Sequence, residues 1–251
     1  MTTLTTSLLV FACLIVATLA GMLLRRVLPE HHLSSDSKDT VKLAMGLVAT
    51  MAALVLGLLI AAATDKYDKE SAGVTQMAAK VIFLDRMLAN YGPETKDVRE
   101  LLRKMVERIS DQIWPGKLSV SAQLDPSASR AEVVISAIQN LPAKTDLQTT
   151  LKAQALSAVF DLGQSRWQEF EQAEVSISTP LLCILTFWLA ILFISFGMFA
   201  PSNGTVLTAL LIAVLAVSVA IFLLMELNSP FHGVLQISSA PFDDALAHLG
   251  K

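Results

Sequence analysis

The chain has 251 residues, of which 53% are hydrophobic and only 16% charged, with a net charge of −3. Soluble domains carry about a quarter charged residues, so this composition excludes an ordinary soluble domain. The slight acidity also excludes a broad basic surface for nucleic acid.

The first apolar stretch covers 3–24 and ends at Arg25 and Arg26. A cleaved signal peptide carries its basic residues before the apolar core, not after it, so this stretch reads as an uncleaved transmembrane helix. A polar loop is expected over 25–42, with Pro29, His31 and His32. The adjacent histidines are not i,i+4 partners and have no cysteine nearby, so a solvated loop is expected there rather than a metal site. Cys13 and Cys183 both fall in apolar stretches without metal-ligand spacing and read as packing residues.

A second span is expected over 43–64. Ala49, Ala53, Gly57 and Ala61 recur every four positions and make one smooth face on which another helix can pack closely. A shorter version occurs in the first span (Cys13, Ala17, Gly21), and the last has its own (Ala209, Ala213, Ala216, Ala220). The third span is bulky, with Phe187, Trp188, Phe193, Phe196 and Phe199. Spans one, two and four are therefore expected to form the tight interior, with span three turned to lipid or to a neighbouring subunit.

The region 65–178 is expected to be a soluble helical domain. It opens on DKYDKES, and Val74, Met77, Val81, Leu84 and Leu88 then recur three and four apart, as on one face of a helix. Gly92-Pro93 interrupts that pattern. A second stripe follows in Val98, Leu101, Met105, Ile109 and Ile113, and the two helices are expected to pair. Asp125-Pro126 has the chemistry of a helix start. A short helix to Ile138 and a long one with Leu147, Leu151, Ala155, Val159 and Leu162 on one side complete the domain.

From Pro180 to Met225 there is no Asp, Glu, Lys or Arg, and PSNG at 201–204 is a turn signal in the middle. Each side is long enough to cross a hydrocarbon core as a helix. The tail, 227–251, carries Pro-Phe at 230–231 and again at 241–242, and is rich enough in Val, Leu, Ile and Phe to fold against the protein or the interface. The expected fold is all-α and polytopic. It comprises a first transmembrane pair (1–64), an inserted helical domain (65–178), a second transmembrane pair (179–226) and an interfacial tail (227–251).

No span carries an Asp, Glu, Lys, Arg or His within it. Ion-driven transporters and intramembrane metal enzymes usually need one, whereas a pore can be gated by apolar constriction alone. There is no phosphate loop, zinc motif or nucleophile elbow, so neither an enzyme nor a cofactor is expected. Charges at the span ends are the candidate pore-mouth or interfacial residues: Asp65, Asp68 and Glu70 after span two, Arg166 before span three, and Glu226 closing span four. A carboxylate at a helix C-terminus opposes the helix dipole, so Glu226 needs an offset, and Arg166 is the cation on its side. The short loop holds Arg25, Arg26, Lys38 and Lys42, and the other side holds Lys66, Lys69, Lys80, Arg166 and Lys251. The density of positive charge favours a cytoplasmic short loop.

Four segments together resemble the bacterial bestrophin-like family, a domain of unknown function found in bacteria and plants. They are DKYDKES, then NYGPE with ELLRKMVERISDQIWP, then SRWQEFEQ with FWLAILFISFGMFAPSN, and last ELNSPFHGVLQISSAPFDDAL. The resemblance implies a distant relation to bestrophins, which are pentameric anion channels with a cytosolic helical domain and a neck lined by bulky residues of helix two. It places the helical region in the cytoplasm, opposite to the charge density. Helix two here has no aromatic residue, and the acidic pair of the family near the end of helix four is Glu226 and Asn228 here. The expected protein is a multi-pass inner (plasma) membrane protein in the lipid bilayer, binding no nucleic acid. One expectation is a homo-oligomer that passes small anions. The other is a non-conducting scaffold or stress- and signalling-associated membrane protein.

Overall fold

The computed structural model describes residues 3–29, 35–114, 130–173, 179–201, 203–231 and 233–251. These residues form the helices α1 (Thr3–Val27), α2 (Ser35–Tyr91), α3 (Lys96–Ile113), α4 (Arg130–Gln139), α5 (Asp146–Ala173), α6 (Thr179–Phe199), α7 (Gly204–Leu227) and α8 (Ala240–His248). A 3-10 turn, Pro93–Thr95, leads into α3. No strand occurs among the described residues. Four helices, α1, α2, α6 and α7, are long and apolar enough to cross a bilayer. The Asp125-Pro126 helix start and His31, His32 and His232 lie outside the described residues.

The polar loop expected over 25–42 is shorter than its composition suggested. Helix α1 continues through Val27 and α2 has already begun at Ser35. Nor does α2 stop at the charged DKYDKES segment, but runs unbroken to Tyr91 over 57 residues. There is no proline between Pro29 and Pro93, and Lys, Glu and Ala are good helix formers, so charge alone does not end the helix. Gly92 ends it, with φ 137°, a value that an L side chain rarely adopts.

The chain forms two compact units, Met1–Tyr67 with Ser176–Leu235, and Asp68–Val175 with Gln236–Lys251. In the first, the core gathers Val10, Leu14 and Ala17 of α1, Leu185, Leu189, Leu192 and Phe193 of α6, Val214 and Ile221 of α7, and Ala52 of α2. Two glycines set its geometry. A Cβ on Gly21 would lie 2.1 Å from the Ile194 carbonyl oxygen, and one on Gly197 would lie 2.3 Å from that of Thr18. The backbones of α1 and α6 thus touch directly, as small residues permit in an apolar solvent where van der Waals packing drives helix association. Hydroxyls in these spans are satisfied within their own helices: Thr18 donates to the Leu14 carbonyl, Thr186 to Leu182 and Ser218 to Val214, each at 2.8 Å. Ser7 of α1 donates across to the Ser218 carbonyl of α7 at 3.2 Å.

This arrangement corrects the expected order of packing. Span three is not peripheral: α6 is the partner of α1, although Phe187 and Phe196 do face outward. Span two is the least enclosed within the chain. Of its most apolar residues 6% are buried, against 28%, 33% and 17% for α1, α6 and α7. Ala53, Gly57 and Ala61 are exposed, Ala49 is half-buried, and nothing lies within 4 Å of a Cβ built on Gly57. The sequence pattern weighed runs of alanine against aromatic bulk. The single glycines at 21 and 197 outweigh both, because only they allow backbone-to-backbone contact.

In the second unit the expected stripe on α2 is buried throughout, with Val74, Met77, Val81, Leu84 and Leu88 each 9% exposed or less. On α3 the buried line is Val98, Leu102, Val106 and Ser110, and Leu101, Met105 and Ile109 flank it half-buried. Arg99 of α3 forks onto Asp85 of α2 at 2.8 and 2.7 Å. Asp85 is almost fully buried, and its hydrogen bond holds the Arg99 guanidinium above its ordinary pKa, against the opposing effect of burial. Arg99 also donates to the Lys251 main-chain oxygen at 2.8 Å. The tail folds into this unit. Trp114 donates to the Ile237 carbonyl at 2.8 Å and packs its ring 5.7 Å from that of Phe242, with Ala245 and Leu249 buried beside α8's core face. Lys152 of α5 caps α4 by donating to the carbonyls of Gln139 and Leu141.

Two stability tests follow from this packing. Gly197→Val forces a side chain into the α1 backbone and lowers unfolding stability in detergent by about 3 kcal/mol, whereas Gly46→Ala, with open space around it, leaves the melting temperature unchanged or raises it. Asp85→Asn leaves the half-buried Arg99 guanidinium without its counter-charge and costs about 3 kcal/mol, measured by chemical denaturation of the purified protein.

Candidate functional site

The best-defined polar site in the first unit is built on Glu226, one residue before the end of α7. The helix closes there: the Asn228 amide donates to Leu224 and the Ser229 amide to the carbonyl of Glu226 itself. The chain then reverses through buried Pro230 to Gly233, whose φ of 103° suits glycine alone. That turn aims the amides of Val234 and Leu235 at Glu226 Oε2, at 2.6 and 3.2 Å. Thr3, at the start of α1, donates its hydroxyl to Oε1 at 2.5 Å. Glu226 is 1% exposed.

A carboxylate accepts hydrogen bonds only, and this one receives three donors. The dipole of α7 disfavours an anion at this end, and an unpaired buried charge is costly. The offset expected from a cation is instead supplied by a hydroxyl and two main-chain amides. Gly233 is required on steric grounds as well, since a Cβ there would lie 2.3 Å from Oε2. Glu226 therefore joins the beginning of α1, the end of α7 and the first turn of the tail.

The other candidate residues are not partners of Glu226. Asp65 and Asp68 stand one turn apart on α2 and are exposed, while Glu70 is half-buried and turned to a different side of the same helix. Arg166 lies on α5, and its side chain falls outside the described residues. Thr3 and Gly233 escaped the sequence reading. The available signal was a glycine in the PFHG turn, seven residues beyond a carboxylate that lacked a visible counter-charge. Thr3 has no sequence signal, because its role depends on how α1 packs against α7. Among the described residues no group of three or more His, Cys, Asp or Glu could hold a metal ion, and Cys13 and Cys183 are free thiols.

The closed helix end of α7, with its carboxylate and returning tail, falls within a match to the Bestrophin-like domain model over residues 12–242. The chain belongs to the bestrophin-like family. Its match covers α1 from Ala12 onward and extends to Phe242, so it reaches into both compact units and includes Glu226 with Gly233. No curated protein and no solved structure matches this bestrophin-like chain. It is a multi-pass membrane protein by its four span-length helices and its family.

Glu226→Gln replaces one acceptor oxygen by a donor facing a donor and removes the charge from the rest. It is expected to lower stability by about 2 kcal/mol, with Thr3→Val costing less and Gly233→Ala at least as much. Thermal unfolding, together with the rate of proteolytic cleavage within 229–240, reads both the energy and the release of the tail.

Proposed function

We propose that this bestrophin-like protein assembles as a homo-oligomer in the inner (plasma) membrane and passes small anions along an axis bordered by α2. The observation that carries this reading is the exposure of α2 in the single chain. Helix α1 packs against both α6 and α7, and α2 adds one side to that core. Its outer face offers Ala53, Gly57 and Ala61 with no ionisable group between 43 and 64. Small residues give little to a lipid tail but let another helix approach closely. Four helices packed this way do not enclose a pore, so conduction requires several copies. The resemblance to bestrophins, whose second helix lines the neck, supports placing α2 at the axis, with the helical unit at 65–178 outside the bilayer. No catalytic activity belongs to this reading.

A non-conducting scaffold is the second reading. The apolar part of α2, 43–64, has no aromatic residue to form a bulky constriction, and Glu226, the charge best placed by sequence for a pore mouth, is enclosed by its own chain. Halide flux in liposomes, with subunit number measured on the same preparation, separates the two. Protein-dependent flux from a pentamer is expected. Gly57→Leu, which has room within the chain, is expected to lower both the subunit number and the flux while leaving the helical content unchanged. A folded monomer or dimer without flux removes the channel reading.

A further inference from the structure

The opposite end of the first unit from Glu226 carries two adjoining cavities. One, of about 430 Å³, is lined by Arg25 and Arg26 of α1, Gly197 and Ala200 at the end of α6, and Asn203 and Gly204 at the start of α7. The other, of about 510 Å³, runs along α1 past Val16, Leu19, Ala20 and Leu23. The two share Met22 and Arg26. One is cationic and the other apolar, and they meet at one arginine.

The cationic cavity is organised to receive an anion. Arg25 is anchored by donating to the Ala200 carbonyl, which fixes its guanidinium at the rim. Arg26 is exposed, and among the described residues it makes no hydrogen bond or ion pair. The Asn203 side chain caps the Val206 amide at 3.0 Å. The amides of Gly204 and Thr205, which have no intrahelical acceptor, add the positive end of a 24-residue helix. Among the described residues lining either cavity there is no acid.

The apolar groove follows α1 over a length that suits one acyl chain. Residues 16, 19, 20 and 23 lie on one face of α1, and from Arg26 back to Val16 is about 15 Å of helix, about the depth of one leaflet. Leu19 and Leu23 are more than half exposed on this face. A free anion would account for the arginines but not for the groove that begins at them.

We infer that this is a binding site for one anionic phospholipid, its phosphate held by Arg25, Arg26 and the first turn of α7 and one acyl chain laid along Val16, Leu19, Ala20 and Leu23. The site belongs to a single subunit and does not depend on conduction or on the number of copies. The cavity positions the headgroup at the mouth of the α6–α7 turn, so an occupied site ties α1, α6 and α7 together at the end where Glu226 does not reach.

Native mass spectrometry of the full chain released from detergent tests this, with dioleoyl phosphatidylglycerol, dioleoyl phosphatidylcholine and glycerol phosphate as probes. Phosphatidylglycerol is expected to be retained roughly fivefold better than phosphatidylcholine, one basic side chain's effect on an anionic lipid. Arg26→Gln should abolish that preference and Arg26→Lys should keep most of it. Ala20→Trp, which fills the groove from an exposed position, should lower retention of both lipids. Glycerol phosphate should give no adduct. Equal retention of the two lipids, an Arg26→Gln protein that still prefers phosphatidylglycerol, or glycerol phosphate retained as well as the lipid would each overturn the proposal, the last by showing a free-anion site.

Discussion

The contact of the α1 and α6 backbones at Gly21 and Gly197 decides how the membrane-spanning unit is arranged. Within hydrocarbon there is no gain from hiding apolar surface, so helices associate through close packing. Two glycines, Gly21 facing the Ile194 carbonyl and Gly197 that of Thr18, bring the two backbones into direct contact. Once α1 is held against α6, its next face meets α7 through Ser7, Val10 and Ser218, and α2 is left with one side against the core. The exposure of α2 is a consequence of that choice rather than a property of its own sequence.

The two ends of the same unit handle charge in opposite ways. At one end the single carboxylate of Glu226 is closed in by a hydroxyl and two main-chain amides. Enclosure of this kind stabilises an anion without a counter-ion, because each short N–H or O–H bond to a charged acceptor is about twice as strong as a neutral one. It also makes Gly233 indispensable twice over, for its φ and for its missing Cβ. At the other end Arg25 and Arg26 remain at an open cavity. A helical bundle with one end closed on itself and the other lined by cations has a built-in asymmetry across the bilayer.

The second unit has buried apolar stripes and exposed charges. Its departure from simple amphipathic packing is Asp85 with Arg99, where a fork of two hydrogen bonds joins α2 to α3 across the Gly92–Pro93 reversal. The tail completes this core through Phe242 on Trp114, so residues after the last span belong to the fold and are not an appendage.

Much of this was legible in the sequence. Four charge-free runs of span length, the turn at PSNG and the stripe from Val74 to Leu88 are local patterns, and a helix's period or a bilayer's thickness suffices to read them. Family membership was legible too, in segments spread along nearly the whole chain. Where α2 begins and ends was read less well, because helix propensity continues through charged residues and only glycine or proline stops it. Which helices touch, what satisfies Glu226 and where the arginines lead were decided by the tertiary structure. Those facts depend on pairs such as Gly21 with Ile194, Thr3 with Glu226 and Arg25 with Ala200, separated by 223 residues in one case. A linear pattern holds no record of which of several small-residue faces comes closest when the helices pack.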